Sequence, residues 1–262
     1  MSTLTVGILT LNEGRRITQC IESARFADQI VVVDSGSTDD TVATARALGA
    51  EVVIRSDWQG FAEQRNRLLE HARGDYVFFL DADEVIPPDL RDEILHAVAA
   101  GERAVWEIQW TQVAYGRSLT HMVSTGGIRR LFKRTDILRF EGVVHEKAIL
   151  AQPPPPVHRF KHRLLHYSRE TIYDSLLKLA QYVQLGAAKR QTIGKRGGLL
   201  RGAASATAEF VKLYIFRRGF LGGAEGFLFC FFIALECLFR YCALKYDYRD
   251  GAGDVTVLRK RG

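Results

Sequence analysis

The sequence predicts an α/β fold: a mostly parallel sheet flanked by helices, followed by a helical, basic and apolar C-terminal appendage. Three observations carry this. Strand-like stretches recur at residues 4–9, 30–33, 51–54 and 76–80, and the apolar run 76–80 is too short for a helix and suits a buried strand. Helical patterns of roughly 10–15 residues separate them, the spacing of βαβ units in a parallel sheet. From Glu170 onward, apolar residues repeat at helical spacing and cations accumulate among them. With 262 residues the chain can bury a sizeable core, and 47% hydrophobic against 25% charged residues excludes a disordered chain. The expected organisation is a sheet domain over residues 1–168 and a helical region over 169–262.

Residues 4–9 read as the first strand, and Asn12 caps a helix through Ile17, Cys20, Ile21 and Ala24. The second strand, 30–33, ends at the turn Asp34-Ser35-Gly36-Ser37. Thr38, Asp39 and Asp40 then open a helix through Val42, Ala45 and Leu48 that stops at Gly49. Residues 51–54 form the third strand. A helix over 61–72 places Phe61, Arg65, Leu68 and Leu69 on one face, and Gly74 ends it. The fourth strand runs into Asp81-Ala82-Asp83-Glu84, and Pro87-Pro88 bar further ladder pairing. A helix through Leu90, Ile94, Leu95 and Val98 closes at Gly101. Residues 104–113, 128–132 and 160–166 alternate as strands, and the prolines at 153–156 mark an extended surface loop.

In the tail, Ile172, Leu176, Leu179, Ala180 and Val183 form a helix that docks on the core. Lys189, Arg190, Lys195, Arg196, Arg201, Lys212, Arg217 and Arg218 follow, with only Glu209 against them. The apolar run 226–235 is about half of the roughly 20 residues a spanning helix needs. Glu236 and Arg240 then appear at a depth costly in hydrocarbon. The expectation is a pair of interfacial helices, with apolar faces at the lipid boundary and cations on the anionic headgroups of an inner leaflet. A buried helical hairpin or an oligomer interface is the other reading. The net charge of +6 fits an anionic partner. Nucleic acid is not expected, because the basic residues interleave with aliphatics rather than lining a stacking platform. Cys20, Cys230, Cys237 and Cys242 show no metal-ligand spacing, which fits a reducing, cytoplasmic setting. No secretory leader is expected, since the N-terminus enters a strand without a basic region.

Ligands of open α/β sheets bind beyond the carboxyl ends of the strands. Asp81, Asp83 and Glu84 gather at such an end, and oxygen ligands suit a hard divalent cation, Mg²⁺ or Mn²⁺, shared with a substrate phosphate. For an Asp-x-Asp tripeptide alone, a solvated acidic turn is the favoured reading. Thr10 and Asn12 lie at the same edge and suit a base or ribose. Asp34 suits ribose hydroxyls or a uracil N–H. Arg65 and Asn66 reach the same region from the third helix, although surface solvation also accounts for Arg65.

Four motifs in order carry a resemblance: Thr10-x-Asn12-Glu13, Val32-Val33-Asp34-Ser35-Gly36-Ser37-x-Asp39-x-Thr41, Gln64-Arg65-Asn66 and Leu80-Asp81-Ala82-Asp83-Glu84. Together they resemble the family 2 glycosyltransferases of the GT-A fold. Arg130-Leu131-Phe132 followed by Phe140-Glu141-Gly142-Val143-Val144-His145-Glu146 is similar to the lipopolysaccharide core β-glucosyltransferase subgroup. The resemblance implies a UDP-sugar donor and an inverting transfer. It implies that Thr10, Asn12, Glu13 and Asp34 hold the nucleoside, that Asp81 touches ribose or metal, and that Asp83 ligates the Mg²⁺ or Mn²⁺; Arg65 joins the nucleotide-binding residues by its position on the third helix. The Glu-Asp pair many members carry at the base position is absent between Ala104 and Gln152, and Glu146 takes that role. His145 reads as a metal or phosphate contact or as a structural histidine; His121, His158 and His162 read as structural. Arg129, Arg130 and Lys133 read as phosphate contacts or, more simply, as solvated strand-edge charges.

The function expected is transfer of glucose from a UDP-sugar to a lipid-linked glycan acceptor, the lipopolysaccharide inner core. The enzyme would lie peripherally on the inner face of the cytoplasmic membrane. Transfer to polyprenyl phosphate is the alternative enzyme, and a nucleotide-binding membrane module the non-enzymatic one.

Overall fold

In chain order the sheet domain opens with β1 (Leu4–Thr10), α1 (Ile17–Ser23), β2 (Gln29–Asp34), α2 (Thr41–Ala47), β3 (Glu51–Ile54) and α3 (Phe61–His71). It continues through β4 (Tyr76–Asp81), β5 (Glu84–Val85), α4 (Pro88–Ala100) and β6 (Val105–Ile108). A hairpin follows, β7 (Trp110–Ala114) and β8 (Arg117–Val123). The remaining strands are β9 (Ile128–Lys133), β10 (Ile137–Glu141), β11 (Lys147–Leu150), β12 (Val157–Arg159) and β13 (Leu164–Arg169). The computed structural model describes residues 2–123, 126–142 and 146–248. The chain forms two compact units, Met1–Trp110 with Ser124–His166, and Thr111–Val123 with Tyr167–Gly262.

The first unit is built on a seven-stranded sheet of order β12-β6-β9-β4-β1-β2-β3. β1 pairs in parallel with β2 and β4, and β2 in parallel with β3; β9 runs antiparallel to β4 and β6. Side chains alternate between the two faces. Val6, Ile8, Val32, Phe78 and Leu80 pack with Ile17, Ile21, Leu90 and Ile94, while Val31, Val33, Val77 and Phe79 pack with Leu68, Phe132 and Phe140. Both faces are covered, which is why these strands read as mostly apolar.

Local chemistry departs from expectation at several points. Asn12 does not cap α1, whose N-cap is Arg16 with no side-chain hydrogen bond. Its own φ of 54° turns the loop aside, and its Oδ1 accepts from the Thr38 N–H at 2.8 Å. α3 ends at His71, before Gly74; a Cβ on Gly74 would sit 2.6 Å from the Thr5 nitrogen, so the glycine is needed for close approach to β1. The single strand expected over 104–113 breaks at Gln109, whose carbonyl accepts from the Leu164 N–H at 3.1 Å. Phe160 lies outside β13; it is buried, with its ring stacked on Trp106.

The second unit contains the β7–β8 hairpin, α5 (Ile172–Thr192), α6 (Leu199–Val211) and α7 (Gly223–Tyr246). Tyr115 and Gly116 form the hairpin turn, both with positive φ, and Ala114 pairs with Arg117. That is the two-residue turn whose twist matches the flanking strands. Ala114, Leu119 and Met122 of the hairpin pack with Leu213, Phe229 and Cys230. Thr171 caps α5 by accepting from the Asp174 N–H at 3.0 Å. α7 packs along both α5 and α6. Its 24 residues run well past the point where Glu236 interrupts the apolar pattern. Arg169 explains this: its guanidinium donates to the buried Glu236 at 2.5 Å and lies 5.5 Å from the Phe232 ring. Gly219–Tyr246 is, among the described residues, the one segment long and apolar enough by length and composition to cross a membrane.

Candidate active site

Because β2, β1 and β4 are parallel, their carboxyl ends meet at one edge of the sheet. Thr10 lies opposite Asp34, and Leu9 opposite Asp81. Asp34 is fully buried and closes its own turn. Its Oδ1 accepts from the Gly36 and Ser37 N–H groups at 2.9 and 2.8 Å, and Oδ2 accepts from the Ser37 hydroxyl at 2.5 Å. Gly36, at φ 99°, supplies the left-handed backbone the turn requires. Asn12 donates its N–H to Ser37 Oγ at 2.8 Å, and Glu13 donates its N–H to Thr41 Oγ1 at 2.9 Å. The Glu13 carboxylate accepts from Arg16 at 2.9 Å. Thr10, Asn12, Glu13 and Asp34 are thus brought together by two interlocked loops. Thr10 Oγ1 is buried without a hydrogen-bond partner in the described structure.

On the other side of this edge is a cluster of charge. Arg130 donates through Nη2 to Asp81 Oδ2 at 2.6 Å and to both Glu84 oxygens at 2.7 and 2.8 Å. Arg65 donates through Nε to Glu146 Oε1 at 3.0 Å and through Nη2 to Asp81 Oδ1 at 3.4 Å. Its guanidinium lies 5.2 Å from the Phe79 ring and 5.9 Å from that of Phe140. Burial acts to raise the Asp81 pKa, but Arg130 and then Arg65 override it and hold the carboxyl well below the ordinary range. For Glu84 burial prevails over Arg130, and with the Asp81 charge beside it the carboxyl is pushed up to about 7.

Arg130 is therefore not a solvated strand-edge charge. It is 4% exposed and is the shared counter-ion of two carboxylates. Removing one partner of a buried ion pair leaves the other uncompensated. Arg130→Met is expected to destabilise the fold by about 3 kcal/mol in urea unfolding, at the low end for such pairs because Glu84 can take up a proton. Arg65, expected to contact the nucleotide or solvent, links Asp81 to Glu146 and lines the same cleft. Asn66 turns its amide to the Phe140 backbone, with which it exchanges two hydrogen bonds at 2.7 and 3.1 Å. His145 lies outside the described residues.

Asp83 faces a partner that no local pattern announces. Its Oδ2 lies 3.2 Å from His166 Nε2. β13 brings the histidine there, pairing His166 with Glu84 across an antiparallel ladder. Burial pulls the His166 pKa down, but the Asp83 carboxylate outweighs it and raises the pKa. No three His, Cys, Asp or Glu side chains among the described residues are grouped to hold a metal. A site completed by substrate phosphates and water needs fewer. A carboxylate beside an imidazole is a donor set that a divalent cation can take up, and the Asp83–His166 pair fits one on that ground. Asp81 is less open to such a role, since both of its oxygens engage guanidinium groups. Next to this pair is a cleft of about 670 Å³ lined by Arg65, Asp81, Arg129, Glu146, Lys147 and His166, among others.

Residues 5–145 match the family described as Glycosyl transferase family 2. An uncharacterised glycosyltransferase of Rickettsia bellii is 28% identical over 255 residues, covering 91% of this chain and 84% of that protein. LpsC of Rhizobium meliloti, named a lipopolysaccharide core biosynthesis glycosyltransferase, is 29% identical over 234 residues, covering 86% of this chain and 85% of that protein. Among solved structures, a glucosyl-3-phosphoglycerate synthase from Mycobacterium tuberculosis in complex with Mn²⁺ and UDP is 31% identical. That match covers 44% of this chain and 45% of the other, at a TM-score of 0.35. With strand-end motifs aligned on one edge of a largely parallel sheet, and a family match over more than half its length, this chain belongs to glycosyltransferase family 2 and has a GT-A-type α/β fold.

Proposed function

We propose that the protein is an inverting, metal-dependent transferase that moves a sugar from a UDP-sugar to a lipid-linked glycan of the lipopolysaccharide core. The observation that carries the reading is the Asp83–His166 pair at the end of β4, beside a cleft that also holds Glu146. Thr10, Asn12, Glu13 and Asp34 form the nucleoside side, and the unpartnered Thr10 Oγ1 is a group that a base or ribose can satisfy. Asp83 and His166 would hold the cation, Mg²⁺ or Mn²⁺, which when bound neutralises charge on the departing diphosphate. Arg129 and Lys147 add positive charge to the cleft. Glu146 accepts the proton of the acceptor hydroxyl, whose oxygen bonds to the anomeric carbon as the carbon–phosphate-oxygen bond breaks on the opposite face. Arg65 fixes the Glu146 carboxylate, and Asp81 and Arg130 fix Arg65 and the end of β4.

The kinship with LpsC supports the lipopolysaccharide core as acceptor, and glucose is the sugar favoured by the motif spanning Phe140–Glu146. Work at a membrane surface is supported by the second unit, where the apolar α7 lies among basic helices.

Donor binding supplies the test. UDP-glucose with Mn²⁺ is expected to raise the melting temperature, since a ligand at about 100 times its Kd adds about 2.7 kcal/mol of stability. The shift should vanish with a chelator. It should also weaken as pH falls through the raised His166 pKa, because proton and cation compete for Nε2. No shift with any UDP-sugar, cation present, would sink the donor assignment.

A further inference from the structure

The elbow joining α6 to α7 has features that core packing does not explain. Lys212–Phe216 is wound as a π-helix, a distortion concentrated at functional sites. Arg218 adopts φ 56°, unusual for a residue with a long side chain, and a 3₁₀ turn over Gly219–Gly222 follows. Two glycines clamp this elbow onto α7. A Cβ on Gly226 would lie 2.2 Å from the Gly219 carbonyl oxygen, and one on Gly219 would lie 2.6 Å from Cys230 Sγ. The elbow is therefore held in one shape, yet it turns Ile215, Phe216, Phe220 and Leu221 to the outside, Phe216 being 77% exposed.

Beside these tips, Arg117, His121 and Arg218 line a cavity of about 220 Å³ backed by the buried Leu119 and Met122. Arg117 also approaches Glu225 at 3.4 Å. Residues 195–222 contain Lys195, Arg196, Arg201, Lys212, Arg217 and Arg218 against the single acid Glu209. A second copy of this chain would set the same excess of cations against itself, a repulsion that an anionic surface would relieve. Apolar tips set among cations instead complement an anionic bilayer, which offers acyl chains below and phosphates above.

We propose that this elbow is a membrane-insertion site. Phe216 and Phe220 enter the acyl boundary of an anionic phospholipid bilayer while Arg117 and Arg218 hold a lipid phosphate in the adjoining cavity. The inference rests on, and sharpens, the reading that this transferase works at a membrane surface.

Flotation of the full chain with vesicles tests it. The wild type is expected to float with phosphatidylcholine vesicles containing phosphatidylglycerol and not with phosphatidylcholine alone. Arg117→Gln with Arg218→Gln should weaken that binding roughly 30-fold, from about fivefold for each basic side chain near an anionic surface. The Lys versions should retain it, and Phe216→Ser with Phe220→Ser should lose it. All four side chains are exposed, so melting curves should match the wild type and separate binding loss from misfolding. Flotation of both double variants at wild-type strength would overturn the site while leaving the membrane reading standing. Failure of the wild type to bind any vesicle would overturn both. Equal binding to neutral vesicles would overturn the phosphate contact. A wild-type dimer broken by the Phe variants, without vesicle binding, would assign the surface to a second copy.

Discussion

Asp83→Ala is expected to lower sugar transfer about 1,000-fold or more while leaving the melting temperature of the free protein within a few degrees of wild type. The magnitude follows from the several kcal/mol of charge stabilisation that a bound cation gives a departing diphosphate, at about 1.4 kcal/mol per tenfold in rate. The fold should survive, because Arg130 keeps its hydrogen bonds to Asp81 and Glu84. His166→Ala should reproduce the loss, and both variants should forfeit the Mn²⁺-dependent thermal shift with UDP-glucose. Asp81→Asn should behave differently, since its carboxylate is the counter-ion of Arg130 and Arg65. There the loss in rate should come with a loss in stability. Wild-type turnover by Asp83→Ala would remove the cation site from the mechanism.

The second large effect is expected at Glu146. Glu146→Gln preserves an oxygen that can accept from Arg65 Nε but can no longer take a proton. The turnover number should fall roughly 100- to 10,000-fold, the range for removal of a general base, while the KM for the donor stays near wild type. An acceptor that is already an anion, such as polyprenyl phosphate, needs no base. Unchanged turnover in Glu146→Gln would therefore favour phosphate acceptors over glycan hydroxyls.

The parallel strands were legible in the sequence because strands covered on both faces are mostly apolar, as 30–33 and 76–80 are without a break and 4–9 and 51–54 are in the main. Their alternation with helices made the carboxyl ends of β1, β2 and β4 converge, so Thr10, Asp34 and Asp81 could be placed at one edge. What those side chains do there was less legible. Asp34 and Asn12 carry the family pattern, yet much of their hydrogen bonding closes and ties the two loops. Arg130 read as surface charge because a strand position alone does not reveal that the neighbouring β4 leads into the carboxylates of Asp81 and Glu84. The strand pattern ends at Val113 and assigns no element to the stretch that follows, where the structure places the hairpin turn at Tyr115-Gly116. That turn depends on two left-handed residues, one of them a tyrosine that local preference would not select.

By itself, then, the sequence determined the fold class, the family, the acidic end of β4 and the basic, apolar character of the tail. These depend on local pattern and on composition, which a linear chain carries in full. Only the tertiary structure decided that His166 joins Asp83, that Arg65 links Asp81 to Glu146, and that Arg169 neutralises Glu236 inside the second unit. Each of these contacts joins residues 16 to 83 positions apart. A charge read from sequence has no sign of its counter-ion until the backbone brings the two within hydrogen-bond distance.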